Sequence, residues 1–89
     1  MKIRIELFGA SREFSRNQLI EFEVNKNSTI KDVRDEIINY LDQNFNGNEN
    51  FKKIVNSSAF CSENNKIVSD NYKITKNEKI AIIPPIGGG

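Results

Sequence analysis

The hydrophobic period of this chain switches from that of a strand to that of a helix between residues 24 and 30, and that change decides which faces can pack together. Residues 2–8, KIRIELF, alternate with period two: Ile3, Ile5 and Leu7 fall on one face, and Lys2, Arg4, Glu6 and Phe8 on the other. Residues 18–24, QLIEFEV, alternate again with Ile20, Phe22 and Val24 inward. Two half-buried strands joined by the turn-rich GASREFSRN make a hairpin with a long loop. After the breaker NKNST, Thr29 and Asp32 form the Ser/Thr-x-x-Asp/Glu signature of a helix start. Ile30, Val33, Ile37 and Leu41 then recur at helical spacing, which predicts a helix over about 29–43 with one apolar stripe for the sheet.

Beyond residue 43 the patterns are shorter. NFNGNEN is rich in Asn and Gly and predicts a loop. FKKIV predicts a single helical turn that carries Phe51, Ile54 and Val55 to the edge of the core. SAFCS and NKIVS predict two short strands, Tyr72–Ile74 a segment crossing the bottom of the domain, and KIAII, residues 79–83, the last strand. In that strand Ile80 and Ile82 share one face, Ala81 and Ile83 the other. The order is strand, strand, helix, two short strands, final strand, an α+β arrangement with one main helix laid across one face of a mixed sheet. It matches the ubiquitin-like β-grasp, whose first and last strands run parallel at the centre. The expected division is a β-grasp domain over 1–83 and an extended Pro-Pro/Gly-rich tail over 84–89.

At 89 residues the chain has room for one domain, burying roughly 60–65% of its unfolded surface. Thirteen basic and twelve acidic residues are interspersed, giving a net charge of +1 and no electrostatic reason to expect nucleic acid or an anionic membrane as partner. Lys52-Lys53 is the only basic pair and reads as a solvated loop. The N-terminus lacks the apolar run of a signal peptide, and no stretch approaches the ~20 apolar residues of a membrane span, so a soluble cytoplasmic protein is expected. With no histidine and one cysteine, an internal disulfide, a Cys/His zinc site, an iron–sulfur cluster and a His-assisted nucleophile are all excluded, and no metal is expected. Cys61 reads as a small buried apolar group, since no basic neighbour or helix start is present to activate its thiol. Asp32, Asp35 and Glu36 interleave with Lys31 and Arg34 as a solvated helix face does. Ordinary side-chain catalysis is therefore not expected.

Chemistry is left to the end of the sequence, IAIIPPIGGG. Pro84 and Pro85 lack backbone donors, stop the strand and hold the chain extended. The four residues after them reach roughly 13 Å at full extension. Gly87, Gly88 and Gly89 carry no side chains, so such a peptide can thread a narrow channel and lie close to a nucleotide. The carboxylate of Gly89 is then the candidate reacting group. Phe8 and Ile83, with Ala81 beside it, point away from the core and form an apolar patch near the tail if the first and last strands are neighbours.

The element order, the helix start at Thr29 and above all PPIGGG resemble the MoaD/ThiS family of ubiquitin-like sulfur carriers, and within it the small subunit of molybdopterin synthase. The resemblance covers essentially the whole chain. Pro84, Pro85, Ile86, Gly87, Gly88 and Gly89 fit that family's ending of Pro-Pro, two variable residues and Gly-Gly, and FGASRE, Phe8 to Glu13, fits its aromatic-small-x-x-Arg-Glu run. Ser62-Glu63-Asn64 stands where the family usually has an apolar-Asn pair, and Lys76-Asn77-Glu78 where it has an Asp-Gly-Asp-like turn.

The resemblance implies a non-catalytic, sulfur-donating subunit of a transferase complex. Gly89 is adenylated and becomes a thiocarboxylate, Gly87 and Gly88 give clearance, Pro84, Pro85 and Ile86 aim the tail, and Phe8, Ala81 and Ile83 dock it. The implied partners are a large synthase subunit, in a heterotetramer, an E1-like adenylating enzyme, and a sulfur donor such as a cysteine desulfurase or rhodanese-like protein. No cofactor is bound permanently, and ATP is used by the activating enzyme. Three other readings stay open: a carrier for thiamine, tRNA thiolation or cysteine synthesis, a ubiquitin-like protein modifier, and a non-covalent binding module whose tail is idle.

Overall fold

Backbone hydrogen bonding of the apolar N-terminal strand sets the frame. In the computed structural model, which describes residues 1–85, β1 (Lys2–Leu7) lies between β2 (Leu19–Glu23), antiparallel to it, and the last strand, β7 (Glu78–Ile83), parallel to it. β4 (Ala59–Cys61) pairs antiparallel with the other side of β7, and β5 (Ile67–Val68) closes that edge, giving the order β2-β1-β7-β4-β5. This is the ubiquitin-like β-grasp that the element order predicts.

α1 (Ile30–Asn44) crosses one face. Its start is built as the sequence indicates: the Thr29 hydroxyl accepts from Asp32 N at 3.3 Å, and the Asp32 carboxylate accepts from Thr29 N at 2.9 Å, so two otherwise orphan donors are paired. Ile30, Val33, Ile37 and Leu41 are wholly buried against Ile3, Ile5, Phe60, Ile80 and Ile82. Phe22 and Val24, expected inward, are half-buried and pack on the rim of this core.

Several expectations need correction. Phe8 is not in the first strand: β1 stops at Leu7 because Gly9 turns at φ +55°. The segment read as loop after it contains a 3-10 helix, Gly9–Phe14, which buries Phe14 completely. The predicted loop NFNGNEN and the single turn FKKIV overlap a nine-residue helix, α2 (Glu49–Ser57), capped by Asn48, whose side-chain oxygen accepts from Phe51 N at 3.1 Å. Lys52, assigned to a solvated loop, lies in α2 and meets Asp42 of α1 at 2.7 Å; that hydrogen bond raises its pKa. The 72–74 segment forms a second small sheet, β6 (Lys73–Ile74) paired with β3 (Ser28–Thr29). Cys61 is only half-buried.

Arg34 departs furthest from its sequence reading. Instead of a solvated face, its side chain is 16% exposed and donates to the carbonyls of Val55 at 2.6 Å and Ser58 at 3.0 Å and to Asp70 Oδ1 at 2.8 Å, while its guanidinium lies 4.8 Å from the Phe60 ring centroid. One side chain thereby satisfies carbonyls at the end of α2 and ties them to α1. No buried side-chain polar atom lacks a partner among the described residues.

Candidate functional site

The parallel pairing of β1 and β7 brings the ends of both strands to one side of the sheet. Their last paired residues are Leu7 and Ile82, and Phe8 and Ile83 come next. Alternation turns both away from α1. They remain 39% and 37% exposed, so the predicted pair stands together on the open face. The register across β7 adds residues that the sequence reading did not assemble: Ala59 lies opposite Ile83, Cys61 opposite Ala81, and Ile67 opposite Cys61. Ala59, Cys61 and Ala81 are half-buried, and Ile67 is 75% exposed. An apolar band therefore runs from Phe8 across β7 and β4 to β5. Alternation within SAFCS already separates Ala59 and Cys61 from Phe60; what the sequence could not supply was the pairing with β7.

The rest of the open face is charged. Arg4 pairs with Glu21 at 3.4 Å and Lys79 with Glu6 at 3.2 Å. A shallow depression of about 360 Å³ beside Phe8 is lined by Arg4, Glu6, Arg12 and Lys79 among others, a surface of mixed charge suited to contact and not to enclosing a small substrate. Among the described residues, no group of three or more His, Cys, Asp or Glu side chains could hold a metal, and no helix is long and apolar enough to cross a membrane.

The chain leaves β7 through two prolines that differ in setting. Pro84 is buried and lies beside Gly9, while Pro85 is exposed. Ile86, Gly87, Gly88 and Gly89 lie outside the described residues. The described site is therefore the point where the chain leaves β7, bordered by an apolar band.

The ThiS family model matches residues 5–89, and this chain belongs to the ThiS family, the MoaD/ThiS-type ubiquitin-like sulfur carriers. No curated protein matches the sequence. Among solved structures, small archaeal modifier protein 1 (SAMP1) from Haloferax volcanii matches with a TM-score of 0.71 at 15% identity, over 100% of both chains. A Pyrococcus furiosus protein provisionally described as molybdopterin converting factor, subunit 1 matches with a TM-score of 0.72 at 16% identity, over 96% of this chain and 98% of that one. The ubiquitin of Caldiarchaeum subterraneum gives 0.60 at 21% identity, over 100% and 98%. At these identities the likeness is one of fold.

Proposed function

We propose that this chain is the small, sulfur-carrying subunit of a molybdopterin synthase, with the Gly89 carboxylate as the group that carries sulfur. A carboxylate is a poor electrophile and needs activation. On an E1-like enzyme the carboxylate attacks the α-phosphorus of ATP, pyrophosphate leaves, and an acyl adenylate forms at Gly89. The persulfide of a sulfur donor, such as a cysteine desulfurase or rhodanese-like protein, then displaces AMP to form an acyl disulfide, and a thiol reductant cleaves its S–S bond to leave a thiocarboxylate. Inside the large subunit that sulfur passes to cyclic pyranopterin monophosphate, and two such transfers build the dithiolene of molybdopterin. This chain contributes no acid, base or metal ligand. ATP belongs to the activating enzyme.

The observation that carries the reading is a family match running through residue 89, on a chain whose exit is bordered by the apolar band. Pro84-Pro85 and the segment that holds α2 favour the molybdopterin branch, because thiamine carriers are generally shorter. The fold shared with the archaeal modifier favours one other reading, in which Gly89 forms an isopeptide bond with lysine.

Mass spectrometry with C-terminal fragmentation, after incubation with ATP, an activating enzyme and a sulfur source, tests the proposal. Fragmentation is needed because oxidation of Met1 or Cys61 adds nearly the mass gained when sulfur replaces oxygen. The expected result is a shift confined to the fragment with Gly89, followed by sulfur transfer in the presence of the large subunit. Higher-mass conjugates with an unthiolated terminus select the modifier. Adding one alanine after Gly89 is expected to abolish transfer with the fold intact, and normal transfer by that variant refutes the model.

A further inference from the structure

The connection between β1 and β2 is longer than a hairpin needs. β1 ends at Leu7 and β2 begins at Leu19, whereas two to five residues commonly join antiparallel neighbours. The intervening 3-10 helix is held at both ends. At its start, Phe8 N donates to Ser11 Oγ at 3.0 Å and Ser11 Oγ donates to the Phe8 carbonyl at 2.6 Å, and Ser11 is wholly buried. At its finish, the Phe14 carbonyl accepts from the Tyr40 hydroxyl of α1 at 2.6 Å, and the Phe14 ring lies 5.1 Å from that of Phe51 in α2. Pro84 rests against the turn that opens this helix. A Cβ built on Gly9 meets Pro84 Cγ and Cδ at 3.8 Å, an ordinary contact, so glycine is favoured by its φ of +55° and not by lack of space.

We propose that the 3-10 helix Gly9–Phe14 is a mount that fixes the direction in which the chain leaves the domain, with Gly9 and Ser11 as positioning residues for the C-terminal glycines. The seat holds Pro84, and the fixed φ of Pro84 and Pro85, with the restriction that each proline imposes on the residue before it, passes that orientation outward. Without the seat, only the end of β7 would set the direction. The FGASRE run thereby acquires two roles: Phe8 faces a partner, and Gly9 with Ser11 aims the tail. The consequence for the reaction rests on the sulfur-carrier reading; the mount itself does not.

Two substitutions at Gly9 separate backbone conformation from bulk. Asparagine tolerates a positive φ and β-branched valine does not. The full-length chain is mixed with saturating activating enzyme, and the rate of Gly89 adenylation in a single turnover is compared with the dissociation constant and the melting temperature. G9N is expected to stay within about threefold of the wild-type rate, while G9V slows by about tenfold or more with its affinity kept, as misplacement of a reacting group does. A wild-type rate in folded G9V, or equal losses in both variants, overturns the mount. A second arm needs no activity: a nitroxide on Cys61, the single cysteine, reports on the Gly87–Gly89 amides by paramagnetic relaxation. Matching profiles for wild type and G9N with a different one for G9V uphold the mount, and identical profiles in all three overturn it. Should wild type fail to be adenylated in the first arm, the sulfur-carrier reading falls and the second arm still decides the mount.

Discussion

The two faces of the central sheet are made from alternate residues of the same strands, yet they do different work. On the face under α1, Ile3, Ile5, Phe60, Ile80 and Ile82 are wholly buried. On the other, the same strands present Ile83, Ala81 and Cys61, with Phe8 just past the end of β1, beside two exposed ion pairs. One face supplies stability through close packing. The other leaves apolar side chains in water, on the surface that the proposed function assigns to partner docking. On that proposal, single substitutions separate stability from recognition.

The largest expected effect lies on the covered face. Ile80→Ala removes a wholly buried side chain from the centre of the sheet and is expected to cost about 2–5 kcal/mol in urea unfolding. A loss under about 1 kcal/mol would mean the two faces are not energetically distinct. Next comes the rim of that face: Arg34→Ala takes the side-chain donor from the Ser58 carbonyl and leaves the Val55 carbonyl only the Ser58 N–H, and is expected to cost about 1–3 kcal/mol, again read by denaturation. On the open face, Phe8→Ala should leave stability within about 0.5 kcal/mol but weaken binding to a large synthase subunit by about 1–3 kcal/mol in a calorimetric titration. Unchanged affinity removes Phe8 from the interface. Arg4→Ala, which breaks an exposed pair with Glu21, should change stability by less than about 1 kcal/mol.

The smallest effect is one of pH. Burial, and then the hydrogen bond to the Glu78 carboxylate at 3.1 Å, raises the pKa of the Tyr72 hydroxyl above its ordinary value. A raised pKa favours the protonated form in the folded state. Its contribution is complete below the unfolded value near 10 and is lost as pH rises through the folded one. Alkaline difference absorbance should show one tyrosine titrating late, and Tyr72→Phe should remove that component.

What the sequence makes legible follows range of interaction. The strand alternation from Lys2 to Leu7, the Thr29–Asp32 cap and the stripe from Ile30 to Leu41 are local patterns, and each stands in the structure as read. Phe14 was hidden because one apolar residue within a polar segment has no period, and its burial depends on Phe51 and Tyr40, far along the chain. Arg34 was misread for a similar reason: its partners lie 21, 24 and 36 residues away. α2 did leave a local mark, since Asn48 followed by Glu49 is a cap with an acidic first turn, but the neighbouring Asn and Gly residues outweighed it. Of the candidate site, Phe8 and Ile83 were legible from alternation. Ala59, Cys61 and Ile67 required the register between strands, and the seat of Pro84 on Gly9 required the fold.

The central place of β7 has a mechanical meaning as well. Five residue pairs join it to β1 and three join it to β4, with backbone bonds lying across the strand axis. A pull along that axis would load both rows of bonds together in shear, whereas a pull across it would open them one after another.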